Sequence, residues 1–209
     1  MDRLEQLLVS ANNVSTDDPI EAIEIYNLAL VIDGKNIEAL NGIGCAYLSN
    51  RRPQDAARYF MMSLKVCDDI DTRTYLGRAL LLLGAFESAR SQFQAILKDR
   101  PEDLYAMIGM GDASRAEGCL DDAICLYERS LSKGYLAYAG YKPGRERWGI
   151  RSAKNIGFSE SIGRIQAYRG LVDVYSKKGE PWMAFVAALR YKFTESKNSF
   201  LGLFRRFSL

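Results

Sequence analysis

Apolar residues return along most of this chain at intervals of three and four, as in Leu40, Ile43, Gly44 and Tyr47, or Tyr168, Leu171 and Tyr175. That spacing lays one apolar stripe along a helix. Nothing alternates with period two over a useful length, so the pattern predicts an all-helical protein. The punctuation agrees. Asp18-Pro19 reads as a capping residue followed by a first-turn proline, opening a helix that runs through Val31, and Pro53 and Pro181 open later helices in the same way. Gly84, Gly118, Gly134 and Gly179 each follow a periodic run, where a left-handed residue would close a helix.

A longer rhythm overlies the helical one. Ala22, Ala56, Ala89 and Ala123 follow one another at nearly constant intervals, and the longer step from Ala123 to Ala184 is one such interval plus an insertion. Four places after each alanine stands Tyr26, Phe60, Phe93, Tyr127 or, less well matched, Ala188. Gly44, Gly77 and Gly111 keep the same beat. The shared period, about 34 residues, is that of stacked helical hairpins.

These positions resemble the tetratricopeptide repeat, in which small residues let two antiparallel helices approach and an aromatic ring fills the gap beneath. In that family's frame the repeats open at Arg3, Ile37, Ile70, Leu104 and Ile165. The second matches best, and the first has Gln6, Ser10 and Asn13 at usually apolar places, as suits a terminal repeat. The resemblance implies a right-handed superhelical solenoid of about five antiparallel hairpins over residues 1–198, with an insertion at 138–164 and a tail at 199–209 that caps the array or docks elsewhere.

Composition narrows the chemistry. The chain has 209 residues, of which 48% are hydrophobic and 26% charged, enough to bury a core and unlike a disordered or membrane-spanning chain. Its net charge of +2 is too small to mark a nucleic-acid binder by itself. It contains no histidine, which removes the commonest general base and zinc ligand. Cys119 and Cys125 lack the spacing of a compact metal pair, and the four cysteines read as core or semi-buried thiols. The doublets Asp17-Asp18, Asp68-Asp69 and Asp121-Asp122 stand where helices begin, so capping accounts for them. No enzyme, metal or cofactor is expected. Met1 to Ser10 lacks the basic region and apolar core of a signal peptide, and the expected address is the cytoplasm, with a place beside a membrane-associated complex as an extension of it.

Binding in the resembled family uses the concave face, lined by the first helix of each repeat. By that resemblance the groove residues are Asn41, Thr74, Arg78, Tyr105, Asp112, Arg115, Arg169 and Asp173. The family's Lys, Asn and Arg set for a C-terminal carboxylate is absent, since Leu7 and Ala11 occupy its first-repeat places.

Two further segments carry interaction chemistry. The insertion gathers Lys142, Arg145, Arg147, Arg151 and Lys154 against Glu146, a net +4 that leaves −2 for the rest of the chain. Tyr141 and Trp148 accompany these cations, and Gly140, Gly144, Gly149 and Gly157 imply irregular backbone. In the tail, Phe200, Leu203, Phe204 and Phe207 form an apolar helical face with Arg205 and Arg206 beside it. The expected function is that of a non-enzymatic adaptor, scaffold or assembly chaperone holding a protein segment in the groove. The alternative is a peripheral recruiter to an anionic membrane or nucleic-acid surface through the insertion and tail.

Overall fold

In the computed structural model, residues 2–15, 17–137, 153–192 and 194 are described, without side chains at 133–137 and 153–162. The helices are α1 (Arg3–Val14), α2 (Pro19–Ile32), α3 (Ile37–Ser49), α4 (Pro53–Val66) and α5 (Ile70–Leu82). They continue with α6 (Phe86–Asp99), α7 (Leu104–Ala116), α8 (Leu120–Ala137) and α9 (Ala153–Lys177), then α10 at 181–192. No strand occurs among the described residues. The frame residues Arg3, Ile37, Ile70 and Leu104 are the first residues of α1, α3, α5 and α7.

Local chemistry sets these limits. Asp2, Asp18, Asn36, Asp69 and Asp103 each accept a hydrogen bond from a backbone N–H in the first turn of the helix they precede, satisfying donors that have no partner within the helix. Pro19 and Pro53 fill places where a missing N–H costs nothing. Four helix ends share one turn. Arg51, Gly84, Gly118 and Gly179 take φ of 56°, 73°, 82° and 74°. The N–H that follows each then reaches back to Tyr47, Leu80, Ser114 or Tyr175. At the first of these turns an arginine occupies a left-handed place that glycine holds in the others.

The chain divides into two compact units, Met1–Ile96 and Leu97–Leu209. In the first, Ala22, Tyr26, Ala29, Ala39 and Ile43 form one core cluster with α1, and Ala56, Ala57, Phe60, Leu76 and Ala79 form another. The second is built around Leu104, Ile108, Ala123, Tyr127, Ala167, Leu171 and Val174.

Close approach is the recurring device in both. The rings of Phe60, Phe93 and Tyr127 lie directly on Gly44, Gly77 and Gly111. A β-carbon added at Gly77 would stand 2.6 Å from Phe93 Cζ, and one at Gly111 would stand 2.8 Å from Tyr127 Cε1. No side chain fits there without displacing a buried ring. Tyr26 and Tyr127 extend further, reaching Gly42 and Gly170 of the next repeat, whereas Phe60 meets Tyr75 ring to ring at 5.6 Å.

Three expectations need correction. Gly134 lies inside α8 rather than at a helix end, because that helix continues to Ala137. Residues 153–164, Gly157 among them, are helical and run unbroken into the fifth repeat as the first turns of α9. Gly163 explains how that longer helix fits, since a β-carbon there would come within 2.6 Å of Leu104 Cδ2 on α7. Of the cysteines, only Cys45 is partly covered, while Cys67, Cys119 and Cys125 are exposed.

The contact at Gly77 yields a direct test. Gly77→Leu forces overpacking against Phe93 and is expected to lower stability by about 1–3 kcal/mol in a denaturant titration. A glycine on an open helix face would respond oppositely, because a helix former stabilises such a site. A raised melting temperature would contradict the assigned packing.

Candidate functional site

The first helices carry the candidate residues, and the two units arrange them differently. In the first unit, α1 touches α3 and α3 touches α5. Asn41, on α3, is only 5% exposed, and its amide donates to Thr72 Oγ1 at 2.8 Å. It is therefore held within the α3–α5 packing rather than open to a ligand, and its Oδ1 is buried without a hydrogen-bond partner among the described residues. Thr74 is half-buried and donates to the Ile70 carbonyl of its own helix at 2.9 Å. Arg78 is exposed and has no ion pair among the described residues. Its charge acts on Cys45, whose thiol is pushed up to about 11 by burial and pulled back in part by Arg78.

Beside them stands a polar cluster that the repeat pattern did not single out. Tyr26 hydroxyl donates to Asn12 Oδ1 at 2.6 Å, and Asn12 Nδ2 donates to Glu38 Oε1 at 2.8 Å, linking α2, α1 and α3. Burial raises the Tyr26 phenol above its ordinary range, with the neighbouring Cys45 and Glu38 adding to the shift. It stays a neutral donor.

In the second unit, three candidates are drawn into one network. Arg115 Nη1 donates to Asp173 Oδ2 at 2.7 Å, its Nη2 to Asp112 Oδ1 at 3.3 Å, and its Nε to Tyr127 Oη at 3.2 Å. Tyr127 hydroxyl donates to Asp112 Oδ1 at 2.6 Å, and Lys177 Nζ lies 3.0 Å from Asp173 Oδ2. Helices α7, α8 and α9 are thereby tied together by two cations and two carboxylates whose charges cancel. Burial works against the Arg115 charge, but the bonds to Asp173, Tyr127 and Asp112 hold it firmly protonated. Burial, then Asp112, raises the Tyr127 phenol well above its usual range. Asp173 is held below the usual carboxylate range, first by the Arg115 hydrogen bond, with burial opposing and Lys177 assisting.

Tyr105 is half-buried near the start of α7. Arg169 is exposed on α9, with its Nη2 3.1 Å from the Tyr191 hydroxyl and its guanidinium 5.6 Å from the centre of that ring. Lys154 lies in the first turn of α9, its side chain outside the described set. Tyr141, Lys142, Arg145, Arg147, Trp148 and Arg151 lie outside the described residues, as do Phe200, Leu203, Phe204 and Phe207. No group of three or more His, Cys, Asp or Glu able to hold a metal occurs among the described residues, and no described helix is long and apolar enough to cross a membrane.

Models of protein families give no match to this chain, and neither do curated protein sequences. Solved structures do. A crystal structure of MamA is 21% identical with a TM-score of 0.62, over 95% of this chain and 98% of that one. MamA from Desulfovibrio magneticus RS-1 is 16% identical with a TM-score of 0.66, over 94% and 97%. YrrB, described as a TPR protein with an unusual peptide-binding site, is 18% identical with a TM-score of 0.57, over 91% and 85%. This chain has the tetratricopeptide-repeat fold.

Within that tetratricopeptide frame, one sequence signal could have disclosed the two polar clusters. The aromatic place holds tyrosine in the first and fourth repeats and phenylalanine in the second and third. A tyrosine in a fully buried seat needs an acceptor for its hydroxyl. Asn12 and Asp112 are those acceptors.

Arg115 and Arg78 should therefore behave differently. Arg115→Ala is expected to lower the melting temperature by several degrees, since it leaves Asp173 and Asp112 short of a partner, whereas Arg78→Ala should leave it unchanged. Equal effects would contradict the network.

Asp173 adds a pH signature. Its folded pKa lies below its unfolded value near 4, so the stabilisation is fully present above about pH 4 and is lost as pH falls through the folded value. The stability gap between the native chain and Asp173→Asn should be widest near neutrality and close in acid. A gap independent of pH would exclude the charged contact as its source.

Proposed function

We propose that the protein is a non-enzymatic adaptor or scaffold that binds an extended protein segment along the first helices of its repeats. The observation that carries this reading is the uneven commitment of the groove-lining charges. Arg115 binds both Asp112 and Asp173, while Arg78 is exposed on α5. A guanidinium with open donors selects a carboxylate, so the favoured ligand is a segment with an acidic side chain or a terminal carboxylate over Arg78. The peptide-binding site named for YrrB supports binding by this architecture and does not fix its position here.

The basic aromatic insertion serves as an added recognition surface in this reading. Trp148 supplies the apolar anchor, and Arg147 and Arg151 supply orientation. In this reading the protein acts at cytoplasmic or membrane-peripheral complexes.

A peptide array probed with the full chain tests the proposal. Acidic peptides should be retained, and Arg78→Glu should weaken them at least tenfold in solution titration while leaving the melting temperature unchanged. Trp148→Ala with Arg147→Ser and Arg151→Ser should reduce affinity further. Retention by Arg78→Glu at native strength would move the site off α5. Binding instead to anionic vesicles or random RNA, abolished by moderate salt, would establish the recruiter alternative.

A further inference from the structure

The second helices of the first two repeats carry an exposed apolar face. On α2, Leu28 and Ile32 are 57% and 51% exposed, with Val31 beside them still more open, and on α4 Met62 and Val66 are each 41% exposed. Glu24 and Arg58, also exposed, continue the two rows one turn towards the helix starts. Each row advances by four residues at a step, which sets its side chains along one line of the helix. The rows also keep the repeat register, because the spacing from Ala22 to Ala56 carries Glu24, Leu28 and Ile32 onto Arg58, Met62 and Val66. Helix α3 packs against both α2 and α4, and Tyr59 of α4 joins the core cluster built on Ala22, Tyr26 and Ala29 of α2. The two rows therefore lie side by side, running in one direction.

Repeat packing does not require this face. The same places hold Ser91, Ala95 and Asp99 in the third repeat, and Cys125, Arg129 and Lys133 in the fourth. Apolar side chains exposed together on two adjacent helices form a patch that water covers poorly. Its rim holds unlike charges. Neither Glu24 nor Arg58 has an ion pair among the described residues, and the Arg58 guanidinium lies 5.7 Å from the centre of the neighbouring Tyr59 ring.

Matched apolar residues and opposite charges at equal repeat places make the face complementary to itself. A two-fold axis running along the helices between α2 and α4 lays α2 of one copy over α4 of another at the same level. We propose that the protein forms a homodimer through this face. Glu24 then meets Arg58 of the second copy, Leu28 meets its Met62 and Ile32 its Val66, and the symmetry repeats each contact. Val31 comes over Lys65, whose methylene stem covers it while the ammonium stays in water. Glu21 comes opposite Asp55, a carboxylate already paired with Arg52 at 2.7 Å. Turning the second copy end for end would instead set Glu24 over Ile32 and Arg58 over Val66, leaving both charges against apolar side chains. Because the contact uses second helices, each copy keeps its first helices free, and the dimer holds a partner that carries two binding segments more tightly than one copy does. The dimer itself stands whether or not a peptide binds at Arg78.

Sedimentation of the full chain over a concentration series tests it. The native protein should pass from monomer to dimer with a dissociation constant on the order of micromolar, as suits a contact two helices wide. Glu24→Arg and Arg58→Glu should each weaken association at least tenfold while the melting temperature of the dilute protein stays unchanged. Mixing those two variants should restore the dimer, because opposite charges then meet in both pairs. Leu28→Asp with Met62→Asp should leave a monomer whose circular dichroism is native. A native protein that stays monomeric, a mixture that stays monomeric, or a dimer that survives Leu28→Asp with Met62→Asp would overturn the proposal. Capture of monomeric native protein by neutral lipid vesicles, lost with Leu28→Asp, would also overturn it and assign the face to a membrane.

Discussion

Everything in this fold depends on an aromatic ring laid against a backbone that lacks a β-carbon. Phe60 on Gly44, Phe93 on Gly77 and Tyr127 on Gly111 set how closely the two helices of a repeat approach. The rings are fully buried, so each contributes apolar area and dispersion that no flexible side chain in the same seat would match. Glycine in mid-helix costs about 1 kcal/mol of helix propensity, and the ring it admits offsets that cost. Alanines at the start of each second helix complete the close approach, with Ala22, Ala56, Ala89 and Ala123 at 0% exposure.

The hydroxyl decides what the ring does beyond packing. Phenylalanine ends inside the core, whereas Tyr26 and Tyr127 pass through it to acceptors among the first helices, Asn12 and Asp112. A buried phenol must find such a partner, and Asp112 in turn draws in Arg115 and, through it, Asp173. Three of the candidate groove residues, Asp112, Arg115 and Asp173, are thus the visible end of a structural network. Arg78 follows Phe60 and precedes Phe93 in repeats without a tyrosine at the aromatic place, and its charge stays open to solvent. The same architecture therefore provides a self-satisfied set of charges in one unit and an available one in the other.

Much of this was legible from residue types alone, because the glycines, alanines and aromatics report steric requirements that recur once in every repeat. Helix starts at Arg3, Ile37, Ile70 and Leu104 follow from those requirements and from the caps before them. The long α9 did not, since Gly157 reads as irregular backbone yet lies within the helix, and the close approach of Gly163 to Leu104 has no local signature. Burial of Asn41 was equally hidden, because it depends on Thr72 across a neighbouring helix rather than on its own segment. The pairing of Arg115 with Asp173 joins two distant stretches of chain, and no local pattern encodes such a contact. Arg51 shows the opposite case, where a turn dictated by its neighbours imposes a left-handed backbone on a residue that does not favour it.

If glycine is present so that a ring can fit, shrinking the ring must relieve the penalty of enlarging the glycine. The decisive measurement is the unfolding free energy of Gly44→Ala, Phe60→Leu and the two combined, by denaturant titration. Each single change is expected to destabilise the protein, the first by overpacking and the second by a cavity, while the combined variant recovers a substantial part of the summed loss because the added methyl enters space vacated by the ring. Strict additivity would contradict the account, since it would mean that Gly44 and Phe60 act on stability without meeting.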